Sequence, residues 1–162
     1  MRFKRTIEQI GITKFNLLSK STVLIFGIGG VGGHACEALA RSGIGNLIIV
    51  DKSLVDLTNV NRQVIALTST VGKPKVQAMK KRLLDINPEI NVTSYHQFYN
   101  FETKNEILNH KIDFICDAID TVTFKIDIIN IHPLGRNGEV VFILIGVIMN
   151  FGNWSCTSLV AH

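Results

Sequence analysis

Short runs of apolar residues alternate along this sequence with segments of helical periodicity. The runs at residues 22–27, 47–50 and 112–118 have the continuity of parallel strands that are buried on both faces, and residues 92–97 form a further candidate strand. A fifth apolar run, residues 140–149, is too short to span a bilayer and is typical of a buried strand.

Helices are predicted between these strands. Residues 34–42 carry apolar side chains at helical spacing and end at Gly43, which suits a C-cap. The segment from Pro74 to Pro88 has its apolar residues on one face and is predicted to be an amphipathic helix. Shorter helices are expected at residues 102–109 and 121–129. Alternating strands and helices predict an α/β fold with a doubly wound, mainly parallel sheet and helices on both faces.

Composition narrows the class of protein. The 162 residues suit one domain, and 46% hydrophobic with 19% charged residues exclude a disordered or collagen-like chain. The net charge of +4 suits an anionic partner such as a nucleotide or RNA, and an ordinary soluble surface is the alternative. The three cysteines form no CxxC pair, which excludes a disulfide framework or a four-thiolate zinc site. This cysteine usage predicts a reducing, cytoplasmic location, and we see no signal-peptide core and no membrane-spanning run.

A glycine motif lies between the first predicted strand and helix. Gly27, Gly29 and Gly32 form G-x-G-x-x-G, in which the first glycine permits a tight turn, the second lets the backbone approach phosphate, and the third lets helix and strand pack closely. Asp51 ends the second strand, where a carboxylate accepts hydrogen bonds from ribose hydroxyls. These features predict a nucleotide site, and an NAD(P)-dependent oxidoreductase is one protein class that has them.

Two downstream motifs favour a triphosphate instead. The first, "NVNRQ" at residues 59–63, brings amides and Arg62, and the second, "GKPK", places Lys75 at the start of a helix. Arginine binds phosphate oxygens bidentately and lysine acts as a point charge, so the two suit a triphosphate. The alternatives are a surface ion pair for Arg62 and a solvated position for Lys75. Asp120 follows the strand at residues 112–118 and suits either Mg²⁺ or an N-cap.

In this order the motifs "GIGGVG", "NVNRQ", "GKPK" and "DAIDT" resemble the ThiF/MoeB/HesA family, the adenylating enzymes related to ubiquitin-activating enzyme. The resemblance covers about residues 5–129 and implies a Rossmann-like fold. Within the family, "LTNVNRQ" and "DAIDTVT" are most similar to the enzymes that dehydrate threonylcarbamoyladenosine in tRNA. The sulfur-carrier activators of the family usually carry CxxC pairs, which this sequence lacks.

The resemblance also implies roles for individual residues. ATP binds at the glycine turn, Asp51 holds its ribose, and Asp120 binds Mg²⁺ or positions the nucleotide. The phosphates contact Asn59, Arg62 and Lys75, and the turn comprises Gly27, Gly29, Gly30 and Gly32. Arg5 aligns with an arginine that family members contribute to the partner subunit's ATP site, which implies a homodimer.

The implied chemistry is attack of a substrate carboxylate on the α-phosphate of ATP. In the tRNA-modifying enzymes that carboxylate belongs to threonylcarbamoyladenosine at position 37, and cyclisation of the adenylate follows with net loss of water. A basic helix face with Lys80, Lys81 and Arg82 suits tRNA phosphates, and a solvated face is the alternative. Two other hypotheses are adenylation of a ubiquitin-like sulfur-carrier protein, with a sulfur-transfer partner, and an inactive nucleotide-binding remnant.

Residues 131–162 differ in kind from the rest. Arg136 and Glu139 are the only Lys, Arg, Asp or Glu residues after position 130, and the sequence there departs from the family pattern. We therefore expect a ThiF-type ATP-binding domain at residues 1–130 and an atypical tail at residues 131–162. Our hypothesis for the tail is a truncated or frameshifted product.

Overall fold

The computed structural model describes residues 2–119 together with two later strands, at residues 141–147 and 156–160. The helices are α1 (Lys4–Ile10), α2 (Ile12–Leu18), α3 (Gly30–Ser42), α4 (Lys75–Ile86) and α5 (Lys104–Leu108), with a short 3₁₀ helix at Leu57–Asn59. The strands are β1 (Thr22–Phe26), β2 (Asn46–Val50), β3 (Asn91–Tyr95), β4 (Phe114–Asp117), β5 (Val141–Val147) and β6 (Cys156–Val160).

The strands form one six-stranded sheet in the order β3-β2-β1-β4-β5-β6. Pairing is parallel from β3 through β5, and β6 runs antiparallel to β5. The strand order reverses at β1, which has β2 on one side and β4 on the other. A reversal of this kind opens a crevice at the carboxyl ends of the strands, where doubly wound folds bind ligands. The predicted doubly wound, mainly parallel α/β sheet is confirmed.

Both faces of the sheet are covered, because β1 sends alternate side chains into two separate cores. Ile25 faces a core that includes Met79 of α4, and both side chains are 0% exposed. Phe26 faces the second core, which includes Ile107 of α5. Burial on both faces explains why the strands read as continuous apolar runs in the sequence.

Most predicted elements are present with shifted ends. Helix α3 begins at Gly30, four positions before the predicted start at residue 34, because its first turn consists largely of glycines that periodicity does not detect. Strand β3 ends at Tyr95 rather than at residue 97, and α5 is shorter than predicted. The expected helix at residues 121–129 lies outside the described residues.

Helices α1 and α2 were not predicted, because each has only seven residues and neither contains a buried residue. An aromatic pair, Phe3 and Phe15, whose ring centroids lie 5.6 Å apart, holds them to the domain together with Leu18, which packs against the first core. The pair packs on Gly43, the left-handed C-cap of α3, where a Cβ would lie 2.6 Å from the Phe15 ring. Gly43 therefore caps one helix and provides the docking surface for two others.

Disulfides, metal-binding clusters and membrane-spanning helices are absent from the described part of the chain. Cys36 and Cys116 are buried and form no disulfide, and burial raises the pKa of the Cys36 thiol above its ordinary value. The same residues contain no group of three or more His, Cys, Asp or Glu side chains arranged to hold a metal ion. None of the described helices has the length and apolar character needed to cross a membrane.

Candidate nucleotide site at the switch point of the sheet

A cleft of about 690 Å³ lies at the carboxyl ends of β1 and β2, where the strand order reverses. Its floor is the glycine turn that follows β1. One wall comprises Asn59, Arg62, Gln63 and, at the start of α4, Lys75, and the other comprises residues 97–99. Ala118 and Ile119, which follow β4, close the end of the cleft. Segments far apart in the sequence therefore meet at one position.

The glycines of the turn have separate roles. Gly27 has φ +85°, and a Cβ there would lie 2.6 Å from the carbonyl oxygen of Ala118. A Cβ at Gly32 would lie 1.8 Å from the carbonyl oxygen of Gly27, so only glycine lets α3 pack this closely on β1. A Cβ at Gly29 would have nothing within 4 Å, and Gly29 lines the cleft. Gly27 and Gly32 therefore build the turn, whereas Gly29 leaves space for a ligand.

Helix α3 points its N-terminus into this space. Gly29 is the N-cap and supplies no side-chain hydrogen bond, so the first N–H groups of a 13-residue helix lack a side-chain cap. The helix dipole adds partial positive charge at the same point. A capless helix N-terminus beside an open glycine is suited to bind a phosphate group.

Asp51 is a structural junction as well as a candidate ribose ligand. Its Oδ2 accepts a hydrogen bond of 2.7 Å from the backbone N–H of Ile28, and its Oδ1 accepts one of 2.7 Å from that of Ser53. The Ser53 carbonyl then accepts from the backbone N–H of Lys75, at 3.0 Å. The carboxylate thus links the glycine turn to the start of α4. Each carboxylate oxygen has a further acceptor site, so the ribose role stays a prediction.

The predicted phosphate ligands lie on one wall of the cleft. Lys75 is only 8% exposed, and its ammonium has no hydrogen bond or ion pair to any residue among those described. Asn59 uses its Oδ1 to accept from the Asp56 N–H at 3.0 Å, which leaves its amide nitrogen as a donor. Arg62 is exposed, and its Nη1 donates to the carbonyl oxygen of Thr58 at 3.0 Å. Hydrogen bonds to nearby backbone groups therefore orient Asn59 and Arg62, whereas Lys75 is held by burial.

One buried residue of this wall was missed as a candidate. Gln63 is 7% exposed and lines the cleft, and its Oε1 is the one buried side-chain oxygen or nitrogen without a hydrogen-bond partner in the described part of the chain. The motif "NVNRQ" contains it, but no sequence signal shows which of the five side chains points inward. The turn bond from the Gln63 N–H to the Asn59 carbonyl, at 2.9 Å, places both on the same side.

The opposite wall was also missed, because residues 96 and 97 were assigned to a strand. The chain leaves the sheet after Tyr95 and turns over the cleft, so that Gln97, Phe98 and Tyr99 line it. The Lys52 ammonium lies 4.3 Å from the centroid of the Phe98 ring. An apolar wall with a cation above an aromatic ring suits the base of a nucleotide.

Two further predicted residues, Arg5 and Arg82, do not line the cleft. Arg5 is exposed on α1 and is not among the residues that line the cleft. Asp120 lies outside the described residues. Arg82 donates to Glu37 of α3 at 2.7 Å, so its guanidinium joins two helices. Of the basic face predicted to bind tRNA, Lys80 and Lys81 remain as candidates.

Comparisons with known proteins agree with this geometry. The ThiF family model matches residues 3–132. The tRNA threonylcarbamoyladenosine dehydratase of Bacillus subtilis is 50% identical over 125 residues, which cover 77% of this chain and 49% of the relative. The molybdopterin-synthase adenylyltransferase of Haemophilus influenzae is 37% identical over 127 residues, covering 77% of this chain and 52% of that protein.

A solved structure gives the same result. The Escherichia coli tRNA N6-threonylcarbamoyladenosine dehydratase in complex with ATP superposes with a TM-score of 0.73 at 38% identity, covering 75% of this chain and 50% of that one. The present chain therefore spans about half the length of the relatives that it matches.

Proposed function

Because this chain belongs to the ThiF family, we propose that its cleft binds ATP and that it activates a carboxylate by adenylation. One observation carries the proposal. The cations Arg62 and Lys75 and the capless N-terminus of α3 lie in a single cleft, as a polyanion requires. The ATP complex of a 38% identical relative supports it. These findings favour adenylation over an NAD(P)-dependent oxidoreductase.

The proposed reaction needs positioning and charge neutralisation more than acid–base chemistry. The substrate carboxylate is already an anion and attacks the α-phosphate, giving an acyl-adenylate and pyrophosphate. The α3 N-terminus and Lys75 neutralise charge on the phosphates, and Arg62 binds their outer oxygens. Asn59 donates its amide hydrogens, and Asp51 accepts from the ribose. The buried position of Lys75 strengthens its attraction to phosphate, since the local dielectric is low.

We propose the threonylcarbamoyl carboxylate of adenosine 37 in tRNA as the substrate, with cyclisation of the adenylate as the second step. The 50% identical dehydratase supports this choice. A second candidate is the C-terminus of a sulfur-carrier protein, which the 37% identical adenylyltransferase supports. Both share the first step and differ in the incoming carboxylate.

Mg²⁺ is part of the proposal and rests on Asp120. This ion is held by one or two carboxylates together with phosphate oxygens, so a nucleotide site needs no cluster of three acids. Ala118 and Ile119 line the cleft, and Asp120 follows them directly in the sequence. Mg²⁺ would supply positive charge to the phosphates.

We also propose a homodimer in which Arg5 of one copy serves the cleft of the other. Arg5 is exposed on α1, away from its own cleft. The same N-terminal region exposes apolar side chains that a second copy would cover, namely Ile10, Ile12 and Leu17. If the proposal holds, Arg5→Ala and Lys75→Ala variants are each inactive alone and regain activity when mixed, because a mixed dimer has one intact site. No recovery in a mixture that sedimentation shows to be dimeric would reject a shared site.

ATP–pyrophosphate exchange on the purified chain tests the function. We expect exchange that depends on tRNA carrying threonylcarbamoyladenosine, and none with unmodified tRNA. Exchange that requires a sulfur-carrier protein instead would transfer the assignment to the second candidate. ATP binding without exchange in either mixture would show a nucleotide-binding remnant.

A further inference from the structure

The one buried polar atom that lacks a partner lies at the proposed phosphate end of the cleft. Gln63 Oε1 is buried with no hydrogen bond to any of the described residues, although its side chain lines the cleft. A buried acceptor without a donor destabilises the folded protein, because nothing compensates for its lost hydration. Such a cost in a binding cleft indicates that a ligand completes the hydrogen bond.

The position of Gln63 relates this oxygen to the phosphates rather than to the base. The carbonyl oxygen of Arg62 lies 3.6 Å from where a Cβ on Gly30 would be, and a Val64 methyl lies 3.3 Å from that of Gly33. Residues 62–64 therefore pack along the first turn of α3. The wall suited to a base, at Lys52 and Phe98, belongs to other segments.

The chemistry of the oxygen limits what can fill the site. An amide oxygen accepts hydrogen bonds, and phosphate oxygens do the same, so the two do not bind each other directly. No protein cation supplies the donor in this structure either, since Oε1 has no partner among the described residues although Arg62 and Lys75 line the same cleft. A water molecule bound to the phosphates has hydrogens to donate and fits this requirement.

We infer that the buried Oε1 of Gln63 accepts a hydrogen bond from a water molecule that is bound to the triphosphate of ATP. This inference rests on the proposed function, since it requires ATP in the cleft. It predicts that Gln63 lowers the stability of the nucleotide-free protein and raises its affinity for ATP. A residue with a purely structural role would not give opposite effects on these two quantities.

The test compares Gln63→Met with the matched variant Gln97→Met. Methionine is close to glutamine in size and lacks the amide. Gln97 also lines the cleft, but its Nε2 donates to Glu106 at 3.2 Å, so its amide already has a partner. Without nucleotide, we expect Gln63→Met to raise the Tm by about 2 to 4 °C. Gln97→Met should show no such rise.

Binding of ATP, AMP and adenosine is then measured by calorimetry on the full chain, with Mg²⁺ and with EDTA. We expect Gln63→Met to weaken the binding of ATP about five- to tenfold and the binding of adenosine less than twofold. If the variant loses affinity for ATP only with Mg²⁺, the water is bound to the metal. If it loses affinity in both buffers, the water is bound to the phosphates. Either result supports the inference.

Three results would overturn it: a lower Tm for Gln63→Met, unchanged ATP affinity, or equal losses for ATP and adenosine. Failure of the wild-type chain to bind ATP would instead reject the proposed function.

Discussion

Replacing Gly32 with alanine should disrupt the packing of α3 on β1, which the glycine turn makes possible. The added Cβ would lie 1.8 Å from the carbonyl oxygen of Gly27, 3.0 Å from its carbonyl carbon and 3.2 Å from the Ala118 Cβ. The nearest atoms belong to the backbone, so no side-chain rotation relieves the overlap. Helix α3 must move away from β1, and its N-terminus moves with it.

The expected cost is at the upper end of overpacking, about 3 kcal/mol in the free energy of unfolding. For a domain of this size, that lowers the Tm by about 6 to 12 °C. Urea unfolding followed by circular dichroism measures the first quantity and a thermal melt the second. ATP binding should fall in parallel, because the helix N-terminus leaves the phosphate position.

Gly29→Ala is the matched control, three positions away in the same turn. Its Cβ meets nothing within 4 Å, so we expect a change in stability within about 0.5 kcal/mol. Its methyl group would occupy the space proposed for phosphate and should weaken ATP at least tenfold. Wild-type stability in Gly32→Ala would refute the packing argument, and wild-type ATP affinity in Gly29→Ala would refute the phosphate position.

Three other changes test single contacts. Glu37→Gln should cost about 1 kcal/mol at neutral pH, since the Glu37 carboxylate bridges α3 to Arg82 of α4. Arg82 also lowers the pKa of Glu37 in the folded protein below its ordinary value of 4.5. The stabilisation by the carboxylate is therefore complete above the unfolded-state pKa, and it is lost as the pH falls through the folded-state pKa. Lys75→Met should weaken ATP about ten- to a hundredfold without loss of stability, because the variant removes a buried charge. Asp51→Asn should lower stability by about 1 to 3 kcal/mol, since one of its two backbone donors, such as the Ile28 N–H, loses its acceptor.

Each of these has a result that contradicts it. Urea unfolding of Glu37→Gln that differs equally from wild type at pH 7 and pH 3 would show that the Glu37 carboxylate does not titrate as argued. A large drop in the Tm of Lys75→Met would make Lys75 a structural residue. Asp51→Asn with unchanged stability and weaker ATP binding would leave Asp51 as a ribose ligand alone.

The sequence predicted the sheet well because its strands are buried on both faces. Continuous apolar runs located β1, β2 and β4, and one-sided periodicity located α4. It failed at α1 and α2, which bury no residue and dock through the Phe3–Phe15 pair on Gly43. A contact between residues so distant in the chain leaves no periodic trace.

The same division holds within the candidate site. Residue type and order alone indicated Gly27, Gly32 and Asp51, because a tight turn, a close helix–strand approach and a carboxylate after a strand are local requirements. Arg62 and Lys75 were expected together and do line one cleft. The role of Arg5 needs a second copy, and Asp120 lies outside the described residues.

By itself, the sequence determined the buried strands and the helices that pack on them, and what charge the nucleotide end of the sheet carries. Periodicity and motif spacing report on residues close together in the chain. Only the tertiary structure decided that Asp51 links the glycine turn to the start of α4. It also decided that the chain turns at Gln97 and lines the cleft, and that Gln63 Oε1 is buried without a hydrogen-bond donor among the described residues. Burial and hydrogen-bond partnership depend on packing between distant segments, and no local pattern encodes them.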